Sequence, residues 1–167
     1  MLFLLDANVL IDAARDYYPF DMVPEFWEWL AHHGANGNIK IAIENYEEVC
    51  EGNDQLAEWL RDPVVKAAIL LQEEIDTDSV STVVSHGYAA DLTDADILTM
   101  GRDPFLIAHG LAVPGARCIV TTEVSRPSRK RANRHVPDVC RDLGLSCCNT
   151  FEMTRRLGFS TSWRAPH

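Results

Sequence analysis

Four acidic residues stand where an α/β fold could gather their carboxylates. Asp6 ends the apolar run MLFLL, Glu48 lies within ENYEEVCEG, Asp103 opens DPFLIAHGLA, and Glu123 ends IVTTE. In an open α/β sheet, ligands bind at the carboxyl ends of the strands. Carboxylates gathered there repel one another, and a divalent cation such as Mg²⁺ or Mn²⁺ removes that penalty because it prefers oxygen ligands. The four acids are therefore candidate metal ligands and catalytic groups for phosphodiester hydrolysis.

Each of the four acids also has a plain structural alternative: a strand end for Asp6, a helix N-cap for Asp103, a solvated helix face for Glu48 and a loop for Glu123. Neighbouring acids compete for the second position. Glu44 shares a helix face with Glu48 at i,i+4, whereas Glu47 points away. Asp96 and Asp138 are further candidates that no motif selects. The spacing alone leaves these choices open.

Short apolar runs alternate with amphipathic segments along the whole chain. The runs MLFLL, NIKIAI, ARCIVTT and LSCCN predict strands, and the segments between them predict helices, including residues 64–75 and, less clearly marked, residues 78–88. Such alternation is typical of an α/β three-layer sandwich with a central, mainly parallel sheet, here of four to five strands. We expect a single domain over residues 1–159, followed by a loose tail over residues 160–167.

Composition limits the class of protein. The 167 residues are 47% hydrophobic and 24% charged, which is ordinary for a globular domain. No apolar run approaches the roughly 20 residues that span a bilayer, and the N-terminus lacks a basic segment before its apolar run. A cytoplasmic protein is expected. The cysteines show no zinc-site spacing, so we expect buried or unreactive thiols: Cys50, Cys118, Cys140, Cys147 and Cys148.

The charge distribution matters more than the net charge of −10, which by itself argues against a polyanionic partner. Residues 126–134, RPSRKRANR, contain five of the fifteen basic residues. Arginine matches phosphate geometry well, so this basic loop predicts contact with substrate phosphate or with a partner. The candidate substrate-binding residues are Asn8, Arg126, Arg129, Lys130 and Arg131.

Several segments resemble the motifs of the PIN-domain family of nucleases. FLLDANVLIDA resembles the first motif, an apolar strand running into D-x-N-x-L, and EEVCEG is similar to the second, which selects Glu48. DPFLIAHGLA resembles the third motif, D-x-x-I-A-x-x-A, and selects Asp103. IVTTE resembles the fourth, although Thr122 and Glu123 replace the usual Asn-Asp pair. The motifs span residues 1 to 125, and the final strand and helix fit the family's C-terminal unit.

The resemblance implies a metal-dependent endoribonuclease that uses one or two Mg²⁺ or Mn²⁺ ions. Asp6, Glu48, Asp103 and Glu123 would hold the metal, water would attack without a protein nucleophile, and Asn8 would orient Asp6 or a phosphate. Members are commonly VapC-type toxins paired with an antitoxin, so the implied partners are RNA, a protein antitoxin and a second copy of the chain.

Two other classes of function compete with this interpretation. A catalytically inactive PIN-like module could dock a protein or RNA partner, with Glu123 marking a degraded site. A phosphoacceptor receiver domain would need paired acids at the first strand and a lysine at the end of a late strand. None of Lys40, Lys66 and Lys130 lies at such a strand end, which argues against a receiver domain.

Overall fold

The computed structural model of the protein describes residues 1–165; residues 166 and 167 of the predicted tail lie outside the described residues. The strands are β1 (Leu2–Leu5), β2 (Ile39–Ile41), β3 (Arg117–Val120) and β4 (Ser146–Cys148). They form one sheet in the order β2-β1-β3-β4, and every neighbouring pair is parallel. Parallel neighbours require crossover connections, and helices supply them. The predicted α/β class with a parallel sheet of four strands is confirmed.

Ten α-helices surround this sheet in the described part of the chain: α1 (Ala7–Asp12), α2 (Pro24–Ala35), α3 (Ile43–Cys50), α4 (Gln55–Arg61), α5 (Pro63–Ile69), α6 (Thr77–Thr82), α7 (Asp94–Met100), α8 (Asp103–Ala112), α9 (Val136–Asp142) and α10 (Thr150–Arg156). π-helical segments over Ala13–Tyr17 and Val83–Tyr88 continue α1 and α6. The helix predicted over residues 78–88 is therefore confirmed.

The helix predicted over residues 64–75 is wrong in its second half. It ends at Ile69, because Leu70 is extended and forms a parallel bridge with Ile41 of β2. The backbone N–H of Leu71 then donates to the carbonyl of Ile41 at 2.8 Å. Pairing with a distant strand thus overrides the local helical pattern.

The strands alternate between two faces, and each face buries its own cluster. Phe3 and Leu5 of β1 pack with α1 to α5, whereas Leu4 packs with residues of α8 and α9 and of the second π-helical segment. All three side chains are at most 3% exposed. A strand buried on both faces explains why MLFLL is continuously apolar. The result is helix, sheet and helix in three layers.

Residues that follow the last helix pack against α2. The indole Nε1 of Trp163 donates to the carbonyl of Glu25 at 3.2 Å, and Phe159 packs in the same cluster. None of the helices within residues 1–165 has the length and apolar character needed to cross a bilayer. All five cysteines are free thiols; Cys118, Cys140 and Cys148 are buried, whereas Cys50 and Cys147 are half-buried.

Candidate functional site

Asp6 connects β1 to α1 at the carboxyl edge of the sheet. Its backbone N–H donates to the carbonyl of Val120 at 2.9 Å, and its carboxylate caps α1 by accepting from the N–H of Asn8 at 3.5 Å. The hydroxyl of Thr121, just past β3, donates to Oδ2 of Asp6 at 2.8 Å. The residue is 3% exposed. Asp6 is therefore held at the carboxyl ends of the two central strands.

Asp103 is the first residue of α8. The alternative role predicted for it, the helix N-cap, is therefore wrong. Arg102 occupies the N-cap position and makes no capping hydrogen bond with its side chain. Within residues 1–165 the carboxylate of Asp103 has no hydrogen bond or ion pair. Burial raises the pKa of Asp103 to about 8, with further increases from the charges of Asp6, Glu123 and Glu48.

The structure separates the three glutamates of α3. Oε2 of Glu44 lies 3.5 Å from Nε2 of His109, which is 1% exposed. Glu47 and Glu48 are both exposed to solvent. Glu48 contributes to the raised pKa values of both Asp6 and Asp103. Among these glutamates, Glu48 is thus the one that acts on the other candidate acids.

Glu123 lies three residues beyond β3, in the loop, rather than at a strand end as its sequence position indicated. Its Oε2 accepts a hydrogen bond from the backbone N–H of Val136 at 2.7 Å. Asp138, 1% exposed, accepts from Ser125 Oγ and from the N–H of Arg126, each at 2.6 Å. These contacts fix the loop that carries Glu123, and they assign Asp138 a structural role.

The four acids influence one another electrostatically. Burial raises the pKa of Asp6 to about 6, and the charges of Glu123 and Glu48 add to the increase, although hydrogen bonds from Thr121 and Asn8 oppose it. Burial also raises the pKa of Glu48, against the opposing charge of Arg102. A like charge nearby disfavours ionisation. Segments far apart in sequence therefore bring four carboxylates into one region.

The chemistry of this donor set fits a hard divalent cation, because carboxylate oxygens are the ligands that Mg²⁺ and Mn²⁺ prefer. No group of three or more Asp, Glu, His or Cys side chains among residues 1–165 is arranged as a ready-made metal centre. The carboxylates share one region of mutual repulsion without being gathered around a single point. Binding a cation would require these side chains to move together.

The candidate substrate-binding residues differ in their environments. Asn8 is exposed in the first turn of α1, and Arg126, Arg129 and Lys130 are exposed in the basic loop. Arg131 instead forms ion pairs with two aspartates, Asp91 at 2.8 Å and Asp96 at 3.1 Å. Asp96 also completes the capping box of α7 with Thr93, so its role is structural.

Two residues near the acids were not singled out by the sequence. Thr121 belongs to the quoted VTTE segment, but only the strand pairing explains why its hydroxyl reaches Asp6. Tyr88 lies at the end of the second π-helical segment. Burial raises the pKa of Tyr88 well above its usual value, with contributions from the charges of Asp103 and Glu123. Its hydroxyl has no hydrogen-bond partner among the described residues. No sequence pattern marked Tyr88.

A large pocket elsewhere does not contain these acids. It has a volume of about 990 Å³ and lies between α2 and α5, where Trp27, Trp59 and Trp163 line it. Its lining is predominantly apolar. Helix α5 packs against β2, which is the edge strand opposite β4. Two smaller pockets do include Glu123, so we place the candidate functional site at the carboxyl edge of the sheet.

Comparison with known proteins gives one family. No curated protein and no solved structure matches the chain. The family model described as "Domain of unknown function (DUF4411)" matches residues 3–161, which include all four candidate acids. The chain therefore belongs to the DUF4411 family.

Proposed function

We propose that the protein is a metal-dependent endoribonuclease that hydrolyses RNA phosphodiester bonds. The observation that carries this proposal is the environment of Asp103, whose pKa is raised by burial and by the charges of Asp6, Glu123 and Glu48. Buried like charges at the carboxyl edge of a sheet destabilise a fold, and such groups are typical of functional sites. RNA as the substrate rests on the resemblance of four segments to PIN-domain motifs.

The proposed site assigns a task to each acid. Asp6, Glu48, Asp103 and Glu123 would hold Mg²⁺ or Mn²⁺. The bound cation would supply positive charge that polarises a phosphoryl oxygen and neutralises negative charge in the transition state. Thr121 keeps the carboxylate of Asp6 in a fixed orientation through its 2.8 Å hydrogen bond. With its raised pKa of about 8, Asp103 would hold a proton near neutral pH and would release it on binding a cation.

The basic loop would contact the substrate backbone. Arg126, Arg129 and Lys130 are exposed and have no ion pair within residues 1–165, whereas the charge of Arg131 is already neutralised by Asp91 and Asp96. Contacts with phosphates release counterions, so binding should weaken as salt increases. Asn8, exposed beside Asp6, would orient a phosphate or Asp6 itself.

The biological role that we propose follows the same resemblance. The protein would be the toxin of a toxin–antitoxin pair in the cytoplasm, bound by a protein antitoxin and able to form a homodimer. Its excess of acidic residues, at net charge −10, favours a partner with a basic binding segment.

One observation favours a second candidate function, that of a PIN-like binding module without turnover. Oε2 of Glu123 already accepts a hydrogen bond from the backbone N–H of Val136, and Glu123 stands where the PIN-domain motif that it resembles usually has an aspartate. A site that cannot gather its acids would still bind RNA or a protein partner. Stoichiometric binding of Mn²⁺ separates the two functions, because only the nuclease needs the cation.

A cleavage assay with matched variants tests the proposal. Wild type, Asp6→Asn and Glu47→Gln are incubated with a mixture of structured RNAs in Mn²⁺ or in EDTA. Asn keeps an acceptor for Thr121 and can still cap α1, so the Asp6→Asn variant should fold. We expect cleavage by wild type and Glu47→Gln in Mn²⁺ alone, and none by Asp6→Asn. A folded Asp6→Asn protein with full activity would refute the proposal.

A further inference from the structure

A small pocket adjoins Glu123 and has two aromatic walls. Its volume is about 230 Å³, and its lining consists of Tyr17, Thr122, Glu123, Val124, Asn149, Thr150 and Phe151. Tyr17 ends the first π-helical segment, and Phe151 belongs to the first turn of α10. Opposite ends of the chain therefore form one pocket at the carboxyl edge of the sheet.

The two rings are in contact and yet remain open to solvent. Their centroids are 5.1 Å apart at an interplanar angle of 80°, an edge-to-face pair. Tyr17 is 48% exposed and Phe151 is 41% exposed. Most other aromatic side chains of the fold lie in or against the core clusters. This exposed pair offers apolar ring surface beside the candidate acids.

Thr150 supplies a second, independent observation. Thr150 is one of the pocket-lining residues and is 3% exposed, but its hydroxyl has no hydrogen-bond partner among the described residues. A buried hydroxyl without a partner costs stability. Threonine in helices occupies two χ1 rotamers, so this hydroxyl can turn towards a group bound in the pocket. The side chain of Asn149 is already used, since it caps α10 through the N–H of Glu152.

We propose that this pocket binds one nucleobase of single-stranded RNA, next to the phosphate that is cleaved. The inference rests on the proposed nuclease function and adds a binding subsite to it. Tyr17 and Phe151 would stack on the base, and the Thr150 hydroxyl would form a hydrogen bond with its edge. Base stacking on aromatic side chains is the common mode of single-strand recognition.

The size and position of the pocket favour a single base. Sites for larger ligands have volumes of about 300–1,000 Å³, and this pocket, at about 230 Å³, is smaller. A second pocket of about 350 Å³ also includes Glu123, Val124 and Asn149. Glu123 thus lies between two depressions, as expected where a strand of RNA passes over a cleavage site.

The test measures binding in EDTA, where no metal-dependent turnover occurs. Fluorescence anisotropy compares a labelled A6 RNA hexamer with an abasic ribose-phosphate hexamer. Phe151→Leu removes the ring and keeps apolar volume, whereas Phe151→Tyr keeps the ring. Val64→Ala, an exposed position on α5 beside the opposite edge strand, is the distant control.

We expect Phe151→Leu to weaken A6 binding by about 5- to 150-fold, the range that one stacked base contributes. Phe151→Tyr and Val64→Ala should bind A6 within about twofold of wild type, and every variant should bind the abasic hexamer equally weakly. A6 binding by Phe151→Leu that equals wild type would overturn the proposal, as would tight binding of the abasic hexamer.

Thr150→Val gives a readout that a purely structural role would not produce. Because the hydroxyl has no partner, its removal should leave the melting temperature unchanged or higher. We still expect weaker A6 binding, by about 2- to 10-fold, the value of one modest hydrogen bond. Unchanged affinity would contradict the role assigned to this hydroxyl in the subsite.

The failure of this inference is distinct from the failure of the proposed function. Phe151-dependent binding of A6 without any cleavage of RNA would support the subsite and point to a binding module. Cleavage that depends on Asp6, with A6 binding independent of Phe151, would support the nuclease and refute the subsite.

Discussion

Replacing Asp103 with asparagine should stabilise the metal-free protein at alkaline pH. In the folded protein the pKa of Asp103 is raised from 3.8 to about 8. Between these two values the folded state holds a proton that the unfolded state has released. The free energy of unfolding therefore falls as pH rises through this window. Asn is neutral and nearly the same size, so Asp103→Asn removes this loss.

The size of the effect follows from the shift. One pKa unit corresponds to about 1.4 kcal/mol, so a shift of roughly four units sets an upper limit of about 6 kcal/mol. Asp6 shares the repulsion and its pKa is raised to about 6, so the two carboxyls titrate together. We expect Asp103→Asn to exceed wild type by about 2–4 kcal/mol at pH 8.5, against total stabilities of about 5–15 kcal/mol for ordinary domains.

Urea unfolding in EDTA, followed by tryptophan fluorescence at pH 5, 6.5 and 8.5, measures this difference. Glu47→Gln, which removes an exposed carboxylate from the helix that carries Glu48, is the matched control and should follow wild type. Saturating Mn²⁺ should abolish the advantage of Asp103→Asn, because the cation stabilises the charged carboxylates of wild type. Wild-type stability that does not fall between pH 5 and pH 8.5, and that Asp103→Asn does not change, would refute the reasoning.

Three further predictions concern the loop, the packing and the phosphate contacts. Asp138→Ala should lower the free energy of unfolding at pH 7 by about 2–4 kcal/mol, because the buried hydrogen bonds to Asp138 are lost. Since the pKa of Asp138 is lowered in the folded protein, this stabilisation is present above pH 3.8 and is lost as acid protonates the folded carboxylate; stability measured against pH for wild type and the variant checks this. Gly34→Ala should cost about 1–3 kcal/mol in a thermal melt, since the new Cβ would lie 2.6 Å from Cγ2 of Ile69, and an unchanged melting temperature would contradict the close packing of α2 on α5. Arg129→Ala should reduce the salt dependence of RNA binding by about one phosphate contact, whereas Arg131→Ala should leave that slope as in wild type because its charge is already paired; equal slopes for all three proteins would remove Arg129 from the interface.

The parts of the fold that could be predicted are those with a strong local pattern. MLFLL is apolar at every position because β1 lies between two neighbouring strands and is buried on both faces. The end of α5 depends on pairing between Leu70 and Ile41, which no local window contains. Helix α7 does have a local signal, because Thr93 and Asp96 have the spacing of a capping box and mark its first turn.

The candidate site was predictable in type but not in geometry. Asp6 could be located because a strand end and a helix start meet at one residue. Glu48 could be separated from Glu44 only after the fold placed Oε2 of Glu44 at 3.5 Å from Nε2 of His109. The ion pairs of Arg131 join it to residues 35 and 40 positions earlier, so its charge could not be recognised as neutralised from the sequence. Contacts between distant segments decide these roles, and sequence spacing does not record them.

Calorimetric titration with Mn²⁺ at pH 7.5 tests most directly whether the four acids form one cation site. We expect wild type and Glu47→Gln to bind Mn²⁺ stoichiometrically and to release protons on binding, because Asp103 gives up its proton. Asp6→Asn and Asp103→Asn should each lose that binding while remaining folded. Absence of stoichiometric binding by wild type, or equal binding by Asp103→Asn, would contradict the account.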